Sequence, residues 1–170
     1  MDENLFKAIR WLAGRYSPLD IFMIFVSNKV RYLFFFVLIV MWFRNYKKMT
    51  LKAVLSVLIS LCIQCLIKML YFKPRPFVKH RVGILMPSKM DSSFPSKHTL
   101  LMFAISTSIF LRERILGSIM GGLSLLTGLS RVWVGHHYPS DIIGSAIIGS
   151  LISMIAEKLT FRTKTTPSVH

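Results

Sequence analysis

Six apolar runs divide the chain: Leu19–Ser27, Tyr32–Phe43, Ala53–Ile67, Thr99–Leu111, Ile115–Ser130 and Ile142–Ala156. Each uncharged core falls short of the roughly 20 residues of a full bilayer crossing. Singly, each fits a buried helix of a water-soluble protein. Together they leave little polar helix surface to face water, which favours a membrane bundle. Lysines and arginines at their edges can lengthen each run by snorkelling. The pattern predicts an all-α integral membrane bundle of five to six transmembrane helices, folded as one domain over residues 1–170. The count turns on whether the first run crosses by itself.

Before the first run, Leu5, Phe6, Ile9 and Leu12 alternate with Lys7 and Arg10. That spacing predicts a short helix within residues 1–17 lying in the membrane interface, or the first half of a tilted span. Tyr16, Ser17 and Pro18 break the pattern, and Asp20 reads as an acidic residue at the start of the next helix. The opening Met1-Asp2-Glu3 and the residues after it lack the pattern of a cleaved signal peptide. Residues 163–170 read as a flexible tail.

The segments between runs differ in character. Arg44–Lys52 is short and basic, and Arg112-Glu113-Arg114 is a tight charged turn. Phe72–Phe94 is long, basic and proline-containing, which marks it as functional. If each run crosses once, the end of the third, the start of the fourth, the end of the fifth and the start of the sixth share one membrane face. The basic turns share the other, which the positive-inside rule places in the cytoplasm.

Composition sharpens this picture. Of 170 residues, 53% are hydrophobic, and 22 Lys plus Arg stand against 7 Asp plus Glu, a formal net charge of +15. A basic, apolar chain points to a membrane and an anionic partner. Nucleic acid fits poorly, because the basic residues sit between apolar runs and form no basic helix or arm. Cys62 and Cys65 have CxxC spacing but lie inside an apolar run without a second ligand pair, and read as small packing residues.

Three clusters on the shared face carry chemistry. The first holds Lys68 and Arg75. A lysine within a span is costly and marks function, and Pro74 and Pro76 stiffen the backbone beside Arg75, whose guanidinium suits phosphate. The second is Phe94-Pro95-Ser96-Lys97-His98. Ser96 is placed as a helix N-cap, where backbone N–H groups bind anions, and His98 can give a proton to a leaving oxygen. The third runs from Ser130-Arg131 through His136 and His137 to Asp141. Pro139 suits a helix's first turn, and Asp141, four residues after His137, can accept its Nδ1–H and leave Nε2 free to attack. His136 reads as structural. Between Asp91 and Glu157 only Glu113 and Asp141 are acidic, so the shared face is poor in metal ligands. Lys68, Arg75 and Arg131 can stabilise a phosphoryl transition state instead, and neither metal nor cofactor is expected.

These clusters resemble the three motifs of the type 2 phosphatidic acid phosphatase superfamily, K-x6-RP, PSxH and SR-x5-H-x3-D, matched at Lys68, Arg75, Pro76, Pro95, Ser96, His98, Ser130, Arg131, His137 and Asp141. The resemblance implies a phospho-histidine mechanism: His137 attacks phosphorus, Asp141 orients it, His98 protonates the leaving group, and Lys68, Arg75, Ser96 and Arg131 hold phosphate. Tyr71-Phe72, Pro74–Val78 and Trp133–Pro139 are similar to the BcrC-type undecaprenyl diphosphate phosphatases of bacteria. That similarity implies a lipid diphosphate substrate, recycling of the cell-wall carrier lipid, and a bacterial plasma membrane location with the site facing outward. Position 97 is Lys, where that group can carry Asp. Lys73, Lys79, His80, Arg81 and Lys89 are candidates to bind a second phosphate. The competing readings are a phosphatase for phosphatidylglycerophosphate, phosphatidic acid or another lipid phosphate, and an inactive membrane protein such as a transporter subunit.

Overall fold

The computed structural model describes residues 2–80, 85 and 91–162, and at 79, 80 and 160–162 the backbone alone. The candidate cations at Lys79, His80, Arg81 and Lys89, and the tail 163–170, lie outside the described residues or side chains. Among the described residues the secondary structure is helical: α1 (Asp2–Leu12), α2 (Ser17–Phe43), α3 (Lys47–Leu70), α4 (Pro76–His80), α5 (Lys97–Phe110), α6 (Arg114–Trp133) and α7 (Pro139–Arg162).

The first two apolar runs form one helix. α2 has 27 residues, about 40 Å at ~1.5 Å per residue. Its polar middle, Asn28-Lys29-Val30-Arg31, does not break it, because Val30 is buried in the core while Asn28 and Arg31 face an internal cavity. Polar residues end a helix only when they compete for its backbone, and Lys and Arg are good helix formers. For the same reason α3 starts at Lys47, leaving only Arg44–Tyr46 of the expected linker as a turn. Five helices of the bundle therefore alternate in direction: α2, α3, α5, α6 and α7.

Four of these, α2, α3, α6 and α7, are long and apolar enough to cross a membrane. α5 has 14 residues, about 21 Å at ~1.5 Å per residue. It packs against α3, α6 and α7, and Leu100, Met102, Ala104, Ile105 and Ile109 are all buried. A helix enclosed by protein need not match the bilayer alone. The outer helices show the reverse polarity of a soluble protein. Ile21, Phe25 and Phe36 of α2 are exposed, as are Leu58 and Leu66 of α3 and Ile143 and Ile147 of α7. So much contiguous apolar surface belongs in lipid.

The interior is held by small polar side chains. Ser106 and Ser124 hydroxyls pair at 2.8 Å, Ser108 and Ser153 at 2.7 Å, and Thr107 donates to Ser150 at 3.1 Å. In a membrane such interhelical bonds and small residues draw helices together, because lipid provides no hydrophobic drive for it. α7 approaches α5 so closely at Gly149 that an added Cβ would press on the Leu100 carbonyl oxygen.

α1 is a separate helix, seated at the catalytic end. Phe6 is buried against Tyr138 and Val132. Arg10 donates to the Trp133 carbonyl at 2.8 Å. Asp20 is more than a helix-start charge: it is buried, accepts the Gly14 N–H at 3.0 Å and accepts the Trp133 indole N–H at 2.8 Å. The α1–α2 corner thus fixes Trp133 through both its backbone and its ring.

Gly149→Ala should lower the thermal unfolding temperature in detergent by several degrees, as overpacking against backbone costs about 1–3 kcal/mol. Gly122→Ala, where nothing lies within 4 Å of the added carbon, should be neutral or stabilising by at most ~1 kcal/mol. Equal effects would refute the close approach.

Candidate active site

The C-terminus of α3, the N-termini of α5 and α7, and the turn after α6 meet at one end of the bundle. They enclose a cavity of about 980 Å³, reached by Lys68, Arg75, His98, Arg131 and His137. Residues from all three clusters therefore line one space. Arg31 and Lys97 add positive charge there, and Phe34, Phe35, Leu101, Met102 and Ile105 make its wall apolar. The cavity is thus lined by both cationic and apolar side chains.

Gly135, with φ +87°, reverses the chain after α6, a backbone state that suits glycine. The Gly135 N–H donates to Val132 at 3.0 Å and the His136 N–H to Arg131 at 3.1 Å. This turn presents His136 and His137 side by side, and both line the cavity. His136, which the sequence reads as structural, thus also borders the cavity. Arg75 also reaches this turn, its Nη1 lying 3.5 Å from the His136 carbonyl oxygen.

His137 is buried, and its Nδ1 lies 2.7 Å from the Ser93 carbonyl oxygen. A carbonyl only accepts, so Nδ1 carries the hydrogen and Nε2 keeps its lone pair. Burial, reinforced by Arg131 and Arg75, pushes the imidazole well below the usual histidine range, so it is neutral at neutral pH. The anticipated direct bond to Asp141 is not formed. Asp141 Oδ2 stands 3.9 Å from Nδ1 and instead accepts the Tyr138 N–H at 2.9 Å and the Ser93 hydroxyl. The reason is helical geometry. Asp141 sits in the first turn of α7, where an acidic side chain reaches back to the backbone N–H preceding the helix. Its influence on His137 passes through Ser93.

His98 Nε2 lies 3.3 Å from Arg31 Nη1. Guanidinium only donates, so Nε2 is the acceptor in this arrangement. Ser96 occupies the N-cap position of α5 without a side-chain cap bond. Its hydroxyl is fully buried and pairs with Thr99 at 3.1 Å, and its N–H donates to Ser145 at 2.7 Å. Its side chain does not line the cavity. Arg131 donates to Ser27 at 3.0 Å, and its buried Nε meets no partner among the described residues. A buried cationic donor with capacity to spare suits an incoming anion.

Asp91 stands between the two cations of the first cluster, 2.8 Å from Lys68 and 2.5 Å from Arg75. Burial raises its pKa, but Lys68 and Arg75 outweigh burial and hold the carboxyl below its ordinary range. Sequence reasoning singled out neither Asp91 nor Arg31. An arginine at the edge of an apolar run was the available signal for Arg31, as a lysine there was for Lys68. Asp91 is distant in sequence from both partners and had none. Lys73, expected to meet substrate, turns instead toward Asp141. Cys62 and Cys65 are exposed on α3 as free thiols rather than packed inside. Among the described residues no three His, Cys, Asp or Glu side chains cluster to hold a metal.

The profile of the PAP2 superfamily matches residues 49–164. Undecaprenyl-diphosphatase BcrC of Bacillus subtilis (strain 168) is 40% identical over 158 residues, covering 91% of this chain and 82% of that protein. Bacitracin transport permease protein BcrC of Bacillus licheniformis is 31% identical over 169 residues, covering 95% and 83%. Among solved structures, Aquifex aeolicus LpxE superposes with a TM-score of 0.80 at 26% identity, covering 92% of this chain and 94% of that one.

Asp91 competes with any anion for Lys68 and Arg75. Asp91→Asn should tighten binding of inorganic phosphate about threefold, ~0.7 kcal/mol, a modest gain because the pair is partly exposed to solvent. Isothermal titration with phosphate measures it. Weaker phosphate binding by the variant would show that the carboxylate organises the cations rather than occupying them.

Proposed function

The chain belongs to the PAP2 superfamily, and from that premise we propose that it hydrolyses undecaprenyl diphosphate to undecaprenyl phosphate and inorganic phosphate through a phosphorylated His137. One observation carries the reading: His137, its Nδ1 engaged by the Ser93 carbonyl, lines a cavity that holds both cationic and apolar side chains. An amphiphile with an anionic head matches both. The diphosphatase named among the relatives supplies the identity of that amphiphile.

His137 Nε2 attacks the terminal phosphorus as the bond to the lipid-borne phosphate breaks. Arg31, Lys68, Arg75 and Arg131 stabilise the charge on the transferring group. Phosphate draws Arg31 away from His98, whose Nε2 then takes up and delivers a proton to the leaving oxygen. Water attacks the phospho-histidine, releases phosphate and restores the imidazole. Asp141 positions the nucleophile, and Ser96 shapes the start of α5. These steps need no metal ion.

The protein is a multi-pass membrane protein, and its site faces outward on this reading. Lys47, Lys48, Arg112 and Arg114 gather at the opposite end of the bundle, as the positive-inside rule asks of a cytoplasmic face. α1, with Leu5 and Trp11 exposed, lies along the outer membrane surface.

Purified protein in detergent with excess EDTA should release phosphate from undecaprenyl diphosphate, and vanadate should inhibit it. His137→Ala should lower kcat by at least ~1,000-fold with the unfolding temperature preserved. Faster turnover of phosphatidic acid than of the diphosphate would move the substrate to a lipid monophosphate. Substantial activity in His137→Ala would refute the mechanism.

Orientation has its own check. With Cys62 and Cys65 replaced by Ser, a cysteine at the exposed Val78 position should react with an impermeant thiol reagent on intact cells. One at Lys48 should react only after permeabilisation. The reverse pattern would turn the site inward.

A further inference from the structure

Beside the cavity, and outside it, Lys73 grips both groups that orient the nucleophile. Its Nζ donates to Asp141 Oδ1 at 2.7 Å and to the Ser140 hydroxyl at 2.9 Å, with Asp2 of α1 at 3.4 Å. Its backbone carbonyl accepts the Ser93 N–H at 2.7 Å, and its own N–H donates to Ser92 at 3.2 Å. Ser93 is the residue whose carbonyl accepts from His137 and whose hydroxyl donates to Asp141. One residue therefore holds the Ser93 segment through its backbone and the α7 carboxylate through its side chain.

We propose that Lys73 is a positioning residue for the phosphoryl-transfer step, acting on His137 through Asp141 and Ser93 rather than on substrate. Asp141 is fully buried, and an ionised carboxylate there requires a countercharge. Lys68, Arg75 and Arg131 face the cavity, where they meet phosphate, while Lys73 faces away from it. The charged and titratable groups around Asp141 are Lys73 from the loop after α3, Asp2 from α1, bonded to the same Ser140, and the neutral His137 at 3.9 Å. Lys73 is the cation of this set that is present in every step. Burial lowers its pKa, but the bond and charge of Asp141, with Asp2, outweigh burial and hold the ammonium above its ordinary range. With Asp141 ionised, the Ser93 hydroxyl donates to it. The Ser93 carbonyl stays turned to Nδ1, and the His137 tautomer with a free Nε2 is retained.

The inference rests on His137 being the nucleophile. The test uses the full chain in detergent, with farnesyl diphosphate as the probe. Lys73→Met should lower kcat about 30-fold or more and leave KM within about twofold, because the cavity cations are untouched. Lys73→Arg should restore at least a third of kcat. If Lys73→Met cannot be purified folded, Lys73→Gln is measured in the same way. A raised KM with unchanged kcat would overturn the proposal and return Lys73 to substrate binding. Loss of kcat with lowered unfolding temperature and no rescue by Arg would overturn it in favour of a purely structural role. Activity in His137→Ala would instead indict the nucleophile, an outcome separate from any of these.

Discussion

The catalytic end of the molecule depends on the pairing of one buried carboxylate with the charge of Lys73. Asp141 lies where neither water nor lipid can solvate it, so every bond it makes is obligatory. Those bonds tie the start of α7 to the turn before it, to Ser93 and to Lys73. Through Lys73 and Ser140 they extend to α1. Removing that charge would release the loop after α3, the serine segment and the histidine turn together. Histidine orientation here is a property of this network rather than of a single pair.

Much of the site was legible in the chain. Lysine and arginine next to apolar runs are costly enough to mark themselves, and Lys68, Arg75 and Arg131 do line one cavity with His98 and His137. Counting crossings put their ends on one face, because alternation of helices is dictated by the bilayer. Other features could not be read. Whether Asn28–Arg31 breaks a helix depends on Val30 finding a core and Arg31 finding a cavity, and both are tertiary facts. The choice of Ser93 over Asp141 as direct partner of His137 is settled by less than 2 Å of side-chain reach. Lys73 and Lys68 look alike as letters, yet one meets the buried carboxylate and the other meets Asp91.

The electrostatics of the cavity are deliberately unbalanced. Among the described residues, five cations, Arg31, Lys68, Arg75, Lys97 and Arg131, share it with one carboxylate, from Asp91. Mutual repulsion among cations in a poorly solvated space is destabilising, and it is relieved when a multivalent anion enters. Arg31 spends its donors on His98 Nε2 and the Tyr32 hydroxyl, neutral partners that such an anion can replace. The site is in this sense poised toward phosphate.

The apolar wall formed by Phe34, Phe35, Leu101, Met102 and Ile105 has a practical consequence. Such a surface does not distinguish one saturated chain from another. A surfactant monomer with a long alkyl tail is therefore a competitor for the same wall, present in large excess whenever the protein is held in micelles. Apparent affinities for long-chain substrates will shift with the choice and concentration of surfactant, while those for a small soluble phosphate will not. Kinetic constants taken in different solubilising media are consequently not comparable until that competition is titrated out.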